Sequence, residues 1–263
     1  WSSDVCSSDL YRTNGTPSGT RMLASFPEPT QFSLVGAVGN RVLFTPNGTE
    51  LWSMDANGGD RRLINSKHYL AGAPQCRHVS GDTLFLDSYT EGGRLGLFRT
   101  DGTAEGTALV AEYGYNYTYY PTPLASLSIG DVFYFLAPSG EYRELTVWRS
   151  NGTPEGTFPL FAGTGLAMAE LNGEFACITQ DGRLMMSDGT REGTRLVSQF
   201  LRRVSEGTPE GVWSLGDRLV YALEVPIAYP SSQGEREGRE YWATDGTEEG
   251  TAKLAYFRNR DNS

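Results

Sequence analysis

The chain carries six imperfect copies of one motif, and this repetition restricts its fold more than any other feature. The clearest copies read Asp101-Gly-Thr-Ala-Glu-Gly-Thr107 and Asp245-Gly-Thr-Glu-Glu-Gly-Thr251. Each copy begins at an acidic or amide anchor, and the anchors are Asn14, Asp55, Asp101, Asn151, Asp188 and Asp245. Their spacing is uneven but centres on the ~40–50 residues that form one blade of a β-propeller.

A second periodic signal accompanies the first. Pairs of turn-forming residues precede short apolar runs, and these pairs are Gly39-Asn40, Gly81-Asp82, Gly130-Asp131, Asn172-Gly173 and Gly216-Asp217. Such pairs supply the positive φ that two-residue hairpin turns require. The runs that follow, such as Leu84-Phe85-Leu86, are apolar without alternation, so both of their faces must be covered. Stacked propeller blades provide that cover.

We therefore predict an all-β fold, a β-propeller of four-stranded blades whose strands are called A to D in chain order. The motifs account for about five complete blades plus a partial N-terminal one, which we interpret as a fragment of a larger propeller. The repeat domain spans residues 11–257 and a polar tail spans 258–263. Residues 1–10 resemble a translated sequencing adapter and are set aside as non-structural. Loops of variable length are expected between strands B and C, at Tyr89–Leu95, Ser139–Leu145 and Pro226–Arg239.

The repeated motif is best explained as a structural turn between strands C and D. An Asp or Asn side chain accepts hydrogen bonds from backbone amides two residues on, and glycine adopts backbone angles that a Cβ resists. The turn residues singled out are Asp101, Gly102, Asn151, Gly152, Asp188, Gly189, Asp245 and Gly246. The aromatic residue three positions before the anchor, as at Phe98, is expected to pack between blades.

Two alternative roles are open to these turns. Calcium is held by six to eight oxygens from several carboxylates, whereas each turn offers a single Asp or Asn, so we expect no metal and no cofactor, with calcium as the alternative. Asn14, Asn47, Asn116 and Asn151 also lie in N-x-T glycosylation sequons. Two of these sequons are part of the repeat itself, which favours the structural role.

The tyrosine-rich stretch Tyr113–Pro121 is the most suggestive local feature for ligand binding. It falls in the connection from strand D to the next strand A, on the same rim as the B–C loops. Tyrosine joins an apolar ring to a polar tip and suits carbohydrate or protein recognition. The candidate ligand-binding residues are Tyr115, Tyr117, Tyr119, Tyr120 and Tyr229. The alternative is a strand whose aromatic side chains pack between blades.

Composition and motif content argue against several functions. A net charge of −10 argues against a nucleic-acid partner, and no apolar run reaches the ~18–20 residues of a membrane helix. The two histidines, His68 and His78, offer little material for acid–base catalysis, and no nucleophile-elbow motif is present. Cys76 and Cys177 lie in strand-like contexts and are expected to be buried free thiols rather than metal ligands. We therefore assign no catalytic residue.

The chain resembles the bacterial proteins defined by the ELWxxDGT repeat. The match is carried by Leu51-Trp52, Asp101–Thr107 and Asp245–Thr251, and it extends over residues 11–257. The second copy, Glu50–Leu63, departs from the pattern and is similar to the repeat of TolB-type or WD40-like propellers. The resemblance implies an extracellular or cell-surface protein without an assigned enzymatic role.

Three functional hypotheses follow. The first is a noncatalytic secreted or surface propeller that binds a protein or glycan through its rim loops. The second is a propeller-type polysaccharide lyase or glycoside hydrolase, since paired carboxylates could arise from many acidic residues. The third is a structural repeat array within a large adhesin.

Overall fold

The computed structural model describes residues 8–26, 32–46, 48, 50–65, 75–115, 126–139, 144–163, 165–179, 181–199, 212–227 and 236–258. Within these ranges every regular element is a β-strand, and every sheet is antiparallel. Five sheets have four strands and one has two. Consecutive strands pair in order within each four-stranded sheet, as in propeller blades. The predicted all-β propeller class is therefore confirmed, with five complete blades and a partial N-terminal one.

The strands are numbered along the chain. The partial blade consists of β1 (Ser8–Arg12) and β2 (Arg21–Phe26). Blade 1 consists of β3 (Ser33–Val38), β4 (Arg41–Thr45), β5 (Leu51–Asp55) and β6 (Arg62–Asn65). Blade 2 consists of β7 (Gln75–Ser80), β8 (Thr83–Tyr89), β9 (Arg94–Thr100) and β10 (Ala108–Tyr115).

The remaining three blades repeat this order. Blade 3 consists of β11 (Ser126–Ile129), β12 (Val132–Ser139), β13 (Glu144–Ser150) and β14 (Phe158–Ala162). Blade 4 consists of β15 (Gly165–Leu171), β16 (Glu174–Thr179), β17 (Arg183–Ser187) and β18 (Arg195–Gln199). Blade 5 consists of β19 (Val212–Leu215), β20 (Arg218–Ile227), β21 (Arg236–Thr244) and β22 (Ala252–Arg258).

The chain divides into two compact units. The first covers Trp1–Tyr119 with Gly152–Pro154, and the second covers Tyr120–Asn151 with Glu155–Ser263. In the first unit, one apolar cluster joins blades 1 and 2 and includes Leu43, Leu84 and Phe98. Phe98 is 1% exposed, which confirms that this motif aromatic packs between blades, and burying such a ring stabilises the fold by roughly 2–3 kcal/mol.

The second unit is built by the same packing. One cluster joins blades 3 and 4 through Tyr134 and Phe175, whose stacked rings lie 4.2 Å apart. Another joins blades 4 and 5 through Ile178 and Tyr221. The apolar runs of the B strands are thus covered on both faces, because alternate residues face different neighbours.

Strand boundaries differ from the sequence prediction at the N-terminus and at all three predicted B–C loops, since Tyr89, Leu95, Ser139 and Leu145 already belong to strands. The stretch Pro226–Arg239 was expected to be a loop, but β20 extends to Ile227 and β21 begins at Arg236, and the two strands pair over that extension. Polar residues can form such a ladder because its backbone hydrogen bonds do not depend on apolar side chains. At the other end of the chain, β1 begins at Ser8, inside the segment set aside as non-structural.

Candidate functional site

In the well-formed repeat motifs, the side-chain oxygen of the anchor residue accepts hydrogen bonds from the turn that follows it. In blade 2, Oδ1 of Asp101 accepts hydrogen bonds from the backbone N–H of Thr103 at 2.8 Å and from its hydroxyl at 2.7 Å. The same pair of bonds forms at Asn14, Asp188 and Asp245. The bonds from Thr103 lower the pKa of Asp101, because they favour the charged carboxylate.

A pair of hydroxyl groups, one at each end of the turn, forms a further contact. Thr100 precedes the anchor, and its hydroxyl lies 2.7 Å from that of Thr107, the last residue of the motif. It also accepts from the N–H of Gly102 at 3.0 Å. The matching hydroxyl pairs are Thr13–Thr20, Ser150–Thr157, Ser187–Thr194 and Thr244–Thr251. This residue was not among the predicted turn residues, although a Ser or Thr stands directly before the anchor in five of the six copies.

Two glycines of the motif are required by close contacts. A Cβ on Gly106 would lie 2.1 Å from the carboxylate of Asp101, inside the turn. Gly102 has φ +86°, and a Cβ there would lie 3.0 Å from the Cβ of Arg41 in the preceding blade. In the second unit, Gly189 likewise meets the hydroxyl of Tyr134 from the preceding blade. The motif therefore serves as a turn and as a contact surface for the neighbouring blade.

The sequon asparagines inside the repeat are engaged by the turn. Oδ1 of Asn14 accepts from Thr16 through both its N–H and its hydroxyl, and Thr16 is the sequon threonine. Asn151 occupies the same position in blade 3, where its N–H donates to the carbonyl of Gly156 at 3.3 Å and Gly152 has φ +84°. Both residues are thereby placed as structural members of their turns.

The two ends of each blade differ in kind. A–B hairpins have two residues, as at 81–82, and well-formed C–D turns have seven, as at 101–107. Both kinds lie at one end, which we call the turn end. The B–C and D–A connections lie at the opposite end, the connection end. They vary in length from blade to blade: among the D–A connections, residues 163–164 join β14 to β15, whereas 200–211 join β18 to β19.

The candidate tyrosines belong to the connection end. Tyr117, Tyr119, Tyr120 and Tyr229 lie outside the described residues, and Tyr115 is described through its backbone at the end of β10. Tyr113, at the start of the same stretch, is inside the blade and 3% exposed. Tyr113 is therefore a buried strand residue and not part of an exposed loop.

Blade 2 contains a buried polar cluster at its connection end. The guanidinium of Arg77 on β7 pairs with the carboxylate of Asp87 on β8, and their side chains are 5% and 13% exposed. The hydroxyl of Tyr113 on β10 donates to Oδ1 of Asp87 at 3.5 Å, the long limit for such a bond. Arg94, the first residue of β9, donates to the carbonyl of Tyr113 at 3.0 Å and pairs with Glu112 at 3.4 Å. All four strands contribute.

Burial sets the titration of this cluster. It raises the pKa of Asp87, although the guanidinium of Arg77 acts in the opposite direction. Burial, reinforced by the nearby carboxylate, raises the pKa of Tyr113 well above its ordinary value. On β7, burial also raises the pKa of the Cys76 thiol and lowers that of His78. Burial therefore opposes ionisation of both Asp87 and Tyr113.

No group of three or more His, Cys, Asp or Glu side chains that could hold a metal ion occurs among the described residues. The same part of the chain has no helix of the length and apolarity needed to span a bilayer. Cys76 and Cys177 are both free thiols, half-buried and buried respectively.

The chain is similar to several solved structures at low sequence identity. No protein-family profile matches it, and no curated protein does. A computationally designed protein, Ika8, is 11% identical with a TM-score of 0.45, over 91% of this chain and 65% of that one. A chain of a mitotic checkpoint complex is 12% identical with a TM-score of 0.46, over 97% of this chain and 75% of that one.

A third similar structure is TolB from Acinetobacter baumannii, at 14% identity and a TM-score of 0.38. The similarity covers 96% of this chain and 60% of that one. The chain thus spans less than two thirds of the designed protein and of TolB. The fold assignment rests on the strand order and pairing within the blades, and membership of the ELWxxDGT-repeat family stays a prediction.

Proposed function

We propose that this chain is a noncatalytic propeller scaffold, secreted or surface-exposed, that binds a protein or glycan through the connection ends of its blades. The proposal is supported by the difference between the two ends. The turn end is made of short, similar turns whose polar groups bond to one another, whereas the connection end varies in length and sequence from blade to blade. Variable segments on a repeated scaffold are where repeat proteins place their binding residues.

The repeat motif itself supports a scaffold role. Its carboxylate and hydroxyl groups are occupied by bonds within each turn, and a motif present in every blade serves architecture, because a single active site needs only one copy. The buried cluster of blade 2 is enclosed by its own strands, which favours a structural or positioning role over direct catalysis. Secretion and membership of the ELWxxDGT family are supported by the sequence resemblance.

A thermal-shift screen tests this function. Residues 8–263 are melted with oligosaccharides of glucose, xylose, mannose and N-acetylglucosamine, and with calcium against a chelator control. We expect stabilisation by at least one oligosaccharide, lost when Tyr115, Tyr117 and Tyr119 become alanine. The matched control is Tyr11→Ala, an exposed tyrosine of the partial blade. Stabilisation by calcium alone would favour the metal alternative. A cooperative melt that nothing shifts would favour a structural array.

A further inference from the structure

The repeat glycine that follows each anchor lies at a junction between two blades. It is buried in blades 2 to 5, at Gly102, Gly152, Gly189 and Gly246. At Gly246 of blade 5, an added Cβ would lie 3.4 Å from the side chains of Leu171 and Met186, which belong to blade 4. The glycine thus leaves room for side chains of the preceding blade.

The repeat glycine of the partial blade has no such neighbour. Gly15 has φ +89°, close to the +91° of Gly246, but it is exposed, and no described atom lies within 4 Å of the position that its Cβ would take. Tyr11, the motif aromatic of this blade, is 57% exposed, whereas Phe98 at the matching position is 1% exposed. We call the surface of Tyr11 and Gly15 the preceding face of the partial blade. It has the features of a blade junction that nothing in the described part of the chain covers.

Blade 5 carries the other half of such a junction. Leu215 stands directly before the A–B hairpin, as Leu171 does in blade 4. Leu171 is 1% exposed and packs against blade 5, whereas Leu215 is 63% exposed. Leu254 stands nine residues after its anchor, as Val197 does in blade 4, and these two residues are 60% and 7% exposed. We call the surface of Leu215 and Leu254 the following face of blade 5.

The two faces match each other by their positions in the repeat. Leu171 of blade 4 contacts the repeat glycine of blade 5, so Leu215 is the residue with which blade 5 would contact the repeat glycine of a further blade. The partial blade has that glycine as Gly15, with open space beside it. Exposed apolar side chains that lie together on one surface indicate an interaction site. Every copy of the chain therefore carries both halves of one blade junction.

We propose that this chain associates with a second copy of itself, so that the following face of blade 5 in one copy packs on the preceding face of the partial blade in the other, with Leu215 beside Gly15. The contact has the chemistry of the junctions within the chain, which are apolar side chains packed on a repeat glycine. Because it joins two different surfaces, it can continue from copy to copy and form a ring or a filament. This association goes beyond the proposed function and requires no glycan.

Two substitutions, one on each face, test the association by sedimentation velocity of the full chain. Leu215→Asp places a charge on the following face, and Gly15→Asn fills the open space with a residue type that tolerates positive φ. The wild type should form dimers or larger species as its concentration rises from about 1 to about 100 μM, where contacts of modest free energy become populated. Each variant alone should associate about tenfold more weakly or less. A wild type that stays monomeric would overturn the proposal, and so would association that either substitution leaves intact.

An equimolar mixture of the two variants tests whether these two faces pair with each other. The Leu215→Asp copy keeps its preceding face and the Gly15→Asn copy keeps its following face, so the mixture should form a one-to-one dimer that grows no further. The matched controls are Leu196→Asp, at an exposed leucine of blade 4, and Gly81→Asn, at an exposed glycine with positive φ and open space. Both controls should associate like the wild type. A mixture that stays monomeric, or controls as impaired as the face variants, would overturn the pairing.

Hydrogen–deuterium exchange of the wild type gives a measurement that needs no variant. Between the lowest and the highest concentration, exchange should slow by about tenfold at residues 13–16 and 213–217. The remaining turn ends, such as residues 81–82, should exchange at the same rate throughout. Exchange that does not depend on concentration, or protection confined to other segments, would contradict the proposed contact.

Discussion

The hydroxyl of Ser53 in blade 1 donates a hydrogen bond of 2.7 Å to the carbonyl oxygen of Gly102, which lies in the C–D turn of blade 2 and 49 residues later in the chain. Arg41 in turn donates from Nε to the oxygen of Ser53 at 2.9 Å. Arg99 of blade 2 makes a comparable contact, from its guanidinium to the carbonyl of Gly152 at 3.2 Å. At both junctions, a strand C residue of one blade therefore donates a hydrogen bond to the carbonyl of the repeat glycine in the next blade.

Removal of the Ser53 hydroxyl should therefore weaken the junction between blades 1 and 2. Ser53→Ala leaves the buried carbonyl of Gly102 without this donor, and the loss of one partner of a buried hydrogen bond costs about 1–3 kcal/mol. Urea denaturation measures the change in the free energy of unfolding. Ser214→Ala, at an exposed strand position, is the control and should change it little. Equal effects of the two variants would contradict the junction role.

Alanine substitutions at two glycines with positive φ distinguish the cost of backbone strain from the cost of steric overlap. Gly81→Ala, at φ +54° with no atom within 4 Å of the new Cβ, should cost about 1–2 kcal/mol for the left-handed backbone alone. Gly102→Ala adds an overlap with Arg41 and should cost about 1–3 kcal/mol more. Thermal melts of both variants give the comparison. A Gly102→Ala variant as stable as Gly81→Ala would show that Arg41 moves aside freely.

Substitutions of the Asp101 anchor distinguish its charge from its hydrogen bonds. Asp101→Ala removes the acceptor for both groups of Thr103 and should destabilise the fold by about 1 kcal/mol. Asp101→Asn should be milder, because Asn14 makes the same two bonds in the partial blade. Glu105→Ala, in the same turn, is the control. Chemical denaturation ranks the three, and an Asn variant as damaged as the Ala variant would mean that the charge is essential.

Acid should weaken the fold through the same anchors. The pKa values of Asp101, Asp188 and Asp245 are lowered in the folded state by hydrogen bonds from the following threonine. A lowered carboxyl pKa contributes stability above the unfolded value, and that contribution is lost as the pH falls through the folded value. Melting temperature should therefore decline below about pH 4. The triple Asp→Asn variant should show a shallower decline between pH 4 and pH 2.5, and an identical decline would exclude these anchors as the cause.

The two described cysteines should differ in reactivity. Cys177 is 1% exposed, and burial raises its thiol pKa to about 12, whereas Cys76 is half-buried. The thiolate is the reactive form, so a disulfide reagent at pH 8 should leave Cys177 unmodified until the protein unfolds and should modify Cys76 slowly. Peptide mapping by mass spectrometry identifies the modified residue. Rapid native labelling of Cys177 would show that blade 4 opens readily.

Much of the fold could be predicted because the same sequence pattern occurs in every blade. The anchor motif and the Gly-Asp hairpins recur in step, so their phase predicts which residues form strands A to D. Strand ends were harder to predict. Residues 226–227 and 236–239 look like loop by composition, yet they extend β20 and β21 because cross-strand backbone bonds continue the ladder there.

The buried cluster of blade 2 could not be predicted from the sequence in the same way. Nothing local marks Arg77 as buried, since arginine is usually exposed, and its partner Asp87 stands on the next strand. Aligning the blades on their hairpins reveals the polar substitutions, but only strand pairing shows that they meet. The hydroxyl before each anchor, as at Thr100, is the opposite case, since a closer comparison of the motif copies would have found it.

The paired hydroxyl groups of the C–D turn also have a consequence for changes in the number of blades. Every bond that closes the turn from Thr100 to Thr107 joins residues at most seven positions apart, so the turn needs no distant partner to form. The preceding blade contacts this turn at the carbonyl of Gly102 and at the space beside that glycine. The turn can therefore form wherever its own residues recur, whereas a duplicated or deleted blade must still match the apolar faces of its neighbours.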